Sequence, residues 1–375
     1  MKLTYATPQD GAELNHFYRQ FPRKGLFDFL ISRGPHFFRF YEAQSSDSIT
    51  YLLRGDNNEI EAMASFVLKD TFYDGKPTRI AVATDLRVSS NRKAIIEWSK
   101  HFLPVMHELK TENKIDHFFS QLNLTETSVL NTFVRPRQIR RPMPRYYLYR
   151  KFFLNSLHGQ FPWANKPLPY VMIQNGHGPN QDALIDYIVQ RSQFRPFSST
   201  YSKANLLAKM DRMQNMDFSK FLVAKDIQGN ILGCLAPWSS AGISDYIPLQ
   251  YQMRAHNFRQ FLKFGKLFGW TRPLTKPVSS TGIESPLKFH YLTNIFVDHE
   301  DVFECLLYAA YNAVPKDHFL VYAQIDQDYR TRAPKGWVSS RLPYALYSML
   351  EPHETLPSFL HPNNNLNPEI EAAFI

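Results

Sequence analysis

Apolar and polar positions follow two different periods along the chain, and the change between them is clearest from residue 80 to residue 100. The run from Ile80 to Val88 is apolar and rich in β-branched residues, which predicts a buried strand. Ser89 to Asn91 then offers the short polar side chains that cap helices. Helical spacing follows in the apolar residues Ala94, Ile95, Trp98 and Phe102. This stretch is therefore predicted to be a strand that opens into a helix, a joint whose N–H groups commonly hold a phosphate.

The remaining patterns predict a mixed α/β layout. A strand at Leu3 to Tyr5 and a helix starting near Thr7 come first, and the aromatic, basic segment from Phe21 to Gly34 is expected to add a second short helix. Three strands joined by tight turns follow, of which the Ile80 run is the last. A helix, a strand, a short helix and a strand at Tyr146 to Leu154 complete the set. We expect a mostly antiparallel central sheet flanked by helices.

The same order restarts after a loop-like segment that contains several prolines, and this predicts two domains. A chain of 375 residues is also too long for one ordinary core. We place the predicted units at residues 1–155 (N-terminal domain), 156–169 (linker), 170–350 (C-terminal domain with an insertion at 239–286) and 351–375 (polar tail).

Short matching words at matching places support a duplication of one fold. The pairs are TDLRV at 84–88 with TNIFV at 293–297, DHFF at 116–119 with DHFL at 317–320, and LY at 148–149 with LY at 346–347. Three pairs in the same order favour a tandem repeat of one structural unit.

The composition of the chain indicates which kinds of partner it could bind, but it does not identify a reaction. The net charge of +9 favours an anionic partner, which could be nucleic acid, an acidic membrane surface or a phosphorylated cofactor. No apolar run approaches the roughly 18–20 residues that cross a bilayer, so we expect a cytoplasmic, soluble protein. Cys234 and Cys305 lack a CxxC spacing and are predicted to be small core residues. The thirteen histidines show no ligand spacing, so no metal site is expected.

With this strand order and the Thr84 to Val88 segment, the chain resembles the GNAT superfamily of acyl-CoA-dependent N-acyltransferases, in its arrangement of two tandem domains. Family members carry a pattern like L-x-V followed by a Q/R-x-x-G-x-G/A loop, and Leu86-Arg87-Val88 matches its first part. The resemblance implies that the end of this strand holds pantetheine and that the helix start holds the CoA pyrophosphate. The residues expected to bind acetyl-CoA or another acyl-CoA are therefore Leu86, Arg87, Val88, Ser89, Ser90, Asn91, Arg92 and Lys93.

The loop departs from the family pattern. Ile95 and Glu97, or Ile96 and Trp98, stand where the family has glycines, and a Cβ there hinders close approach to a phosphate. The second copy has no glycine in the corresponding segment and places three acids near its helix start, which disfavours an anionic cofactor. The site is thus expected in the N-terminal copy.

Acyl transfer to an amine needs a base, and Asp85 is the candidate that the resemblance suggests. The alternative for Asp85 is a structural carboxylate at a strand edge or cap. No tyrosine has a spacing that singles it out as the acid.

Two basic segments offer other partners. Nucleic acid could bind the segment from Arg135 to Lys151 through its arginines, with tyrosines available for stacking: Arg135, Arg137, Arg140, Arg141 and Arg145. The alternative is a solvated loop. Arg254 to Trp270, inside the insertion, is predicted to be a basic amphipathic helix that lies on an anionic membrane, covers an acceptor pocket or packs on its own domain.

Three functions therefore remain open from the sequence. The first is an N-acyltransferase that transfers an acetyl group directly to a small-molecule or peptide amine. The second is a non-catalytic binding protein in which both clefts have lost the cofactor. The third is a tRNA-dependent aminoacyltransferase-like protein, which the positive charge permits.

Overall fold

A computed structural model describes residues 1–25, 27–136, 143–164 and 168–375 of the chain. The first half contains β1 (Lys2–Tyr5), α1 (Gly11–Arg19), β2 (Phe27–Ser32), α2 (Arg39–Glu42), β3 (Asp47–Arg54), β4 (Ile60–Tyr73), β5 (Lys76–Val88), α3 (Arg92–Glu112), β6 (His117–Asn123), α4 (Thr127–Phe133) and β7 (Arg145–Gln160).

The second half follows a similar order, with no described counterparts of β2 and α4, and adds elements in its insertion. It contains β8 (Met172–Asn175), α5 (Gln181–Ser192), α6 (Lys203–Arg212), β9 (Leu222–Lys225), β10 (Ile231–Trp238), β11 (Asp245–Tyr251), α7 (Met253–Leu267), α8 (Val278–Thr281), β12 (Phe289–Val297), α9 (Glu300–Ala313), β13 (Phe319–Ile325) and β14 (Trp337–Leu350).

One long mixed sheet runs through the molecule, in the order β1-β3-β4-β5-β6-β14-β7-β13-β12-β10-β9-β8. Parallel pairing occurs between β5 and β6 and again between β12 and β13, while the other described pairs of this sheet are antiparallel. Helices flank the sheet, as α3 does with the buried side chains of Trp98, Met106 and Leu109. The structure therefore confirms the predicted fold class, a mixed and mostly antiparallel central sheet flanked by helices.

The two halves exchange their closing strands. β14, from the end of the chain, pairs with β6 of the first half, and β7 of the first half pairs with β13 of the second. β7 and β14 also pair with each other along most of their lengths. In this ladder Tyr347 lies opposite Leu148, so the third pair of matching words meets where the halves join. Each half-sheet is thus completed by a strand of the other.

The segment predicted as a second short helix is instead mainly a strand. β2 pairs antiparallel with β11 in a separate two-stranded sheet, and β11 belongs to the insertion. The helix prediction was wrong because the segment's aromatic side chains pack on a distant part of the chain, as Phe29 does on Tyr246 at 5.8 Å between ring centroids. Long-range pairing of this kind overrides local propensity.

The predicted bounds of the first domain and of the insertion helix can be compared with the observed elements. Residue 155, the expected end of the first domain, falls inside β7, which continues to Gln160. The helix expected from Arg254 to Trp270 is α7 and ends at Leu267. At the end of the chain, Ala372, Ala373 and Phe374 are buried in a core cluster to which both halves contribute side chains.

Both cysteines are buried and free, as predicted. Among the described residues, no helix is long and apolar enough to cross a membrane.

Candidate functional site

The parallel pairing of the central strands ends a few residues before the same repeat position in both halves. In the first half β5 and β6 pair in parallel from Ile80 with His117 to Ala83 with Ser120, and among the described residues the ladder stops there. β5 still pairs with β4 as far as Val88, and β6 still pairs with β14 as far as Asn123. The facing edges of β5 and β6 beyond this point are therefore free of ladder bonds to each other, and we call the space between them the first cleft.

A bulge in β5 produces the separation. Asp85 has a φ of 52°, in the left-handed region, and the register against β4 shifts between Met63 and Ser65. Asn294 has a φ of 49° at the matching place in β12, where the register against β10 shifts between Cys234 and Ala236. Asp and Asn adopt this conformation more readily than other residues with a side chain. The repeat between 84–88 and 293–297 thus corresponds to two equivalent bulges, each followed by a cleft.

Asp85 lies in a buried cluster of polar side chains. Arg33 Nη2 donates to both carboxylate oxygens, at 2.9 and 2.7 Å. Tyr18 donates its hydroxyl at 2.7 Å and Tyr41 does so at 2.9 Å. The other Arg33 nitrogen, Nη1, donates at 2.9 Å to Ser244 Oγ in the insertion of the second half. The cluster therefore joins α1, α2, β5 and the insertion at the bulge.

The charge on Asp85 is stabilised in the ionised form. Burial alone would raise the pKa of its carboxyl, but Arg33, Arg87 and the two tyrosine hydroxyls outweigh burial and hold the pKa below its ordinary value. A carboxylate with four hydrogen bonds and a lowered pKa is a weak proton acceptor. This environment favours the alternative interpretation of Asp85 as a structural carboxylate, and its role as a base stays a prediction.

The residues expected to bind acyl-CoA lie together along β5 and the start of α3. Asn91 caps α3, and its Oδ1 accepts the Lys93 backbone N–H at 2.9 Å. Glu61 of β4 binds this turn, since Asn91 Nδ2 donates to it at 3.0 Å and the Ser89 hydroxyl also contacts it. Lys93 Nζ pairs with Asp56 at 2.8 Å. Two carboxylates of the chain therefore already lie at the helix start where a pyrophosphate is expected.

The other expected residues divide between the sheet and solvent. Arg87 donates to the Leu86 carbonyl at 2.8 Å and lies over the Tyr18 ring, 4.9 Å from its centroid. Trp98 is buried in a core cluster, and Val88 packs against that cluster. Ser90 and Arg92 are exposed at the surface, as is Ile95.

The second half has a corresponding cleft between β12 and β13. Arg195 lies between α5 and α6. It donates at 2.7 Å to the carbonyl of Ile295, the residue that matches Leu86 in the repeat. Its guanidinium lies 4.1 Å from the centroid of the Phe296 ring. The cleft contains a cavity of about 70 Å³, and the C-terminal residues 367–371 form one of its walls. The chain's own tail thus lines the second cleft.

A buried lysine anchors this tail. Lys209 Nζ lies 2.5 Å from Glu371 Oε1, 3.2 Å from Glu369 Oε1 and 3.3 Å from the Asn294 side-chain oxygen at the bulge. Burial would lower the pKa of Lys209, but the two carboxylates outweigh it and raise the pKa. In return, Lys209 and the Ser199 backbone N–H outweigh burial at Glu369 and lower its pKa to about 2.

A second cavity, of about 60 Å³, lies on the other side of the tail, against β5 and β6. Lys69 lines it together with Phe119, Phe197 and Phe374, and the Nζ of Lys69 is 5.5 Å from the Phe374 ring centroid. Burial lowers the pKa of Lys69 to about 8. The two cavities share the tail residues Pro368, Glu369 and Glu371 as walls.

The basic segment proposed for nucleic acid is only partly visible. Arg137, Arg140 and Arg141 lie outside the described residues, while Arg135 and Arg145 are exposed. Tyr149, one of the tyrosines of this segment, is buried in the core. Nucleic-acid binding through these arginines stays a prediction. In the described part of the chain, no group of three or more His, Cys, Asp or Glu side chains is placed to hold a metal ion.

Sequence reasoning missed the residues that surround the two bulges. Arg33 belongs to the segment that was expected to be helical, and Lys209 and Glu369 are far from Asn294 in sequence. A charged residue just after an apolar run, such as Arg33 after Phe29, Leu30 and Ile31, was the available signal for a buried ion pair.

Searches against known proteins gave structural likeness only. No protein-family model and no curated protein sequence matches the chain. A GCN5-related N-acetyltransferase from Sphaerobacter thermophilus superposes with a TM-score of 0.49 at 11% identity, over 95% of this chain and 97% of that one. N-myristoyltransferase from Saccharomyces cerevisiae with bound myristoyl-CoA gives 0.48 at 10% identity, over 92% and 79%.

A probable N-acyltransferase from Enterococcus faecalis gives a TM-score of 0.45 at 10% identity, over 92% of this chain and 72% of that one. Likeness at this level says nothing about substrate. Within the chain itself, the likeness of the two halves rests on the strand order, the two bulges and the two parallel pairs that end beside them.

Proposed function

We propose that the chain is an acyl-CoA-dependent N-acyltransferase whose acyl-CoA lies in the first cleft, between β5 and β6. One observation carries this proposal: the pairing of β5 with β6 ends beside the Asp85 bulge and leaves two facing strand edges. A strand edge offers backbone N–H and C=O groups to an extended ligand. Pantetheine contains two amide groups, so it can bind such an edge as a short strand would.

The first cleft suits an anionic cofactor better than the second. Arg87 lies on β5 beside the first cleft, and Arg92 is exposed at the start of α3. In the second half, Asp298, Glu300 and Asp301 lie at the start of α9, and the tail with Glu369 lines the cleft. Carboxylates at these places repel the phosphates of CoA. The second half therefore serves to complete the sheet and to shape the acceptor side.

The reaction is a direct transfer from a thioester to an amine of a small molecule or peptide. The amine nitrogen attacks the thioester carbonyl, the N–C bond forms, the C–S bond breaks, and the proton lost by the amine is taken up by a base while the thiolate leaves. Asp85 fixes the bulge through Arg33, Tyr18 and Tyr41, so we assign it the role of holding the cleft open.

Calorimetric titration with acetyl-CoA and with longer acyl-CoAs tests the proposal. We expect binding that weakens at least about tenfold in the double variant Arg92→Glu with Lys93→Glu, because phosphate contacts with exposed cations become repulsive. Lys316→Glu with Lys335→Glu changes the charge equally at exposed positions of the second half and should leave binding unchanged. No binding of any acyl-CoA to the wild-type chain would sink the proposal.

A non-catalytic binding protein is the second candidate. The contacts of Glu61 with Ser89 and Asn91 favour it, because they place a carboxylate at the helix start. Glu61→Gln separates the two candidates. If Glu61 only weakens acyl-CoA binding, its neutralisation should strengthen the binding seen by calorimetry; if the cleft has lost the cofactor, neither the wild type nor the variant should bind.

A further inference from the structure

The outer end of α7 presents large apolar side chains to solvent. Leu267 is 80% exposed and Phe264 59% exposed, and Phe261 and Phe268 are also exposed. At 3.6 residues per turn, these four side chains cover a sector of about 120° around the helix axis. The adjoining face of α7 is the buried one, with Leu262 and Gly265. The apolar sector therefore lies outside the core of the protein.

Aromatic rings extend this surface beyond the helix. Phe268 lies 5.1 Å from Phe264 and 4.9 Å from Trp270, measured between ring centroids. Trp270 lies 6.3 Å from Phe161, and Phe161 stacks at 4.5 Å on Trp163, which is 69% exposed. We call the exposed set Phe261, Phe264, Leu267, Phe268 and Trp163 the α7 patch. Exposed apolar groups that form one continuous surface mark an interaction site more often than isolated ones do.

The α7 patch is held rigidly on the sheet. Gln160 donates its backbone N–H to the Trp270 carbonyl at 2.8 Å, and the Thr271 hydroxyl donates to the Leu262 carbonyl at 2.6 Å. Gly159 allows this close approach, because a Cβ there would lie 2.3 Å from the Trp270 carbonyl oxygen. A surface that is already ordered before binding loses little conformational entropy on binding.

The charged residues of the segment that carries α7 have one sign. From residue 252 to residue 283 the sequence contains six lysines and arginines and no aspartate or glutamate. Lys263 and Lys266 are exposed, and Arg254 is exposed at the start of the helix. Lys263 borders the apolar sector about 40° from Leu267, and Lys266 follows one turn later on the far side of Lys263. Neutral apolar side chains flanked by cations are the combination that an anionic lipid surface accommodates, with rings and Leu267 among the acyl chains and ammonium groups at the headgroups.

We propose that the α7 patch docks the protein on the surface of an anionic lipid bilayer. A nucleic acid would satisfy the cations but offers no apolar phase for Leu267 and Phe264. The bilayer satisfies both kinds of group, and Trp163 lies at the edge of the patch, where tryptophan is favoured in membrane interfaces. The proposal is independent of acyl-CoA binding.

Vesicle flotation with the full chain tests the docking. We expect binding to phosphatidylcholine vesicles that contain phosphatidylserine, and much weaker binding to phosphatidylcholine alone. Lys263→Gln with Lys266→Gln should weaken binding to the anionic vesicles about 25-fold, since each cation contributes about a fivefold change in affinity. Phe264→Ser with Leu267→Ser should weaken it at least about tenfold.

The control is Ile227→Ser with Leu356→Ser, which removes equally exposed apolar side chains elsewhere and should leave binding unchanged. Thermal unfolding of each variant checks that the fold is retained. The proposal would be overturned if the wild type failed to bind anionic vesicles, or if both α7 double variants bound them as strongly as the wild type does. A wild-type dimer in sedimentation that Phe264→Ser with Leu267→Ser converts to monomer would also overturn it, because the patch would then be an interface between copies.

Discussion

Replacing Lys209 with methionine should release the C-terminal tail from the second cleft. Methionine keeps most of the side-chain volume of lysine but removes its charge, which leaves Glu369 and Glu371 buried without their cation. Breaking a buried ion pair by removing one partner costs about 3–5 kcal/mol. We therefore expect Lys209→Met to lower the free energy of unfolding by that amount at neutral pH.

The pKa of Glu369 supplies an independent magnitude. It falls from an ordinary 4.5 to about 2 in the folded protein. Each pKa unit corresponds to about 1.4 kcal/mol, so the depression is worth about 3 kcal/mol. Because the folded pKa lies below the unfolded one, this stability is complete above about pH 4.5 and is lost as the pH falls through about 2. At about pH 3 less than half of it should remain.

Urea denaturation at about pH 7 and about pH 3 is the assay. The difference between wild type and Lys209→Met should shrink by more than half at the lower pH, and adding Glu369→Gln with Glu371→Gln to the variant should restore most of the loss. Lys203→Met on the same helix breaks only the exposed pair with Asp182 and should cost less than about 1 kcal/mol. A loss that is the same at both pH values, or a triple variant no more stable than Lys209→Met, would refute the reasoning.

Two further substitutions probe the buried charges. Asp85→Asn should lower the free energy of urea unfolding by about 3–5 kcal/mol, because it leaves Arg33 buried without its carboxylate; a loss below about 1 kcal/mol would show that the pair is not important for stability. Lys69→Met should raise the melting temperature at neutral pH. The expected gain in the free energy of unfolding is about 1–2 kcal/mol, after allowing for the partial exposure of Lys69. Since the pKa of Lys69 is lowered to about 8 from an ordinary 10.5, the folded state bears the full cost of the buried charge below about pH 8, and the gain should fade as the pH rises towards about 10.5. A gain in stability that is unchanged across this pH range would contradict a lowered pKa of Lys69.

The sequence was sufficient for elements whose partners are close along the chain. β4 and β5 carry long apolar runs joined by the tight turn at Asp74 and Gly75, and α3 starts at the predicted cap Asn91. β2 was missed because β11, which pairs with it, comes more than two hundred residues later. No local pattern in an aromatic segment indicates a partner at that distance.

Only part of the candidate site could be predicted, namely the part whose signals are local in the sequence. The matching words located both bulges, since Thr84 to Val88 and Thr293 to Val297 are local signals. The residues that fix the bulges could not be predicted, because Arg33 and Lys209 reach them only through tertiary packing. The positive φ of Asp85 and Asn294 also has no signature beyond the residue types themselves.

The exchange of β7 and β14 sets a condition on synthesis of the protein. The first-half strands leave the ribosome early, but the edge of β6 gains its neighbour only when residues 337–350 have been made. An unpaired strand edge is a template for association with other chains. The edge of β6 must therefore stay protected until residues 337–350 have been made, and the first half-sheet can close only after that strand is available, whereas β13 can pair with β7 as soon as it is made.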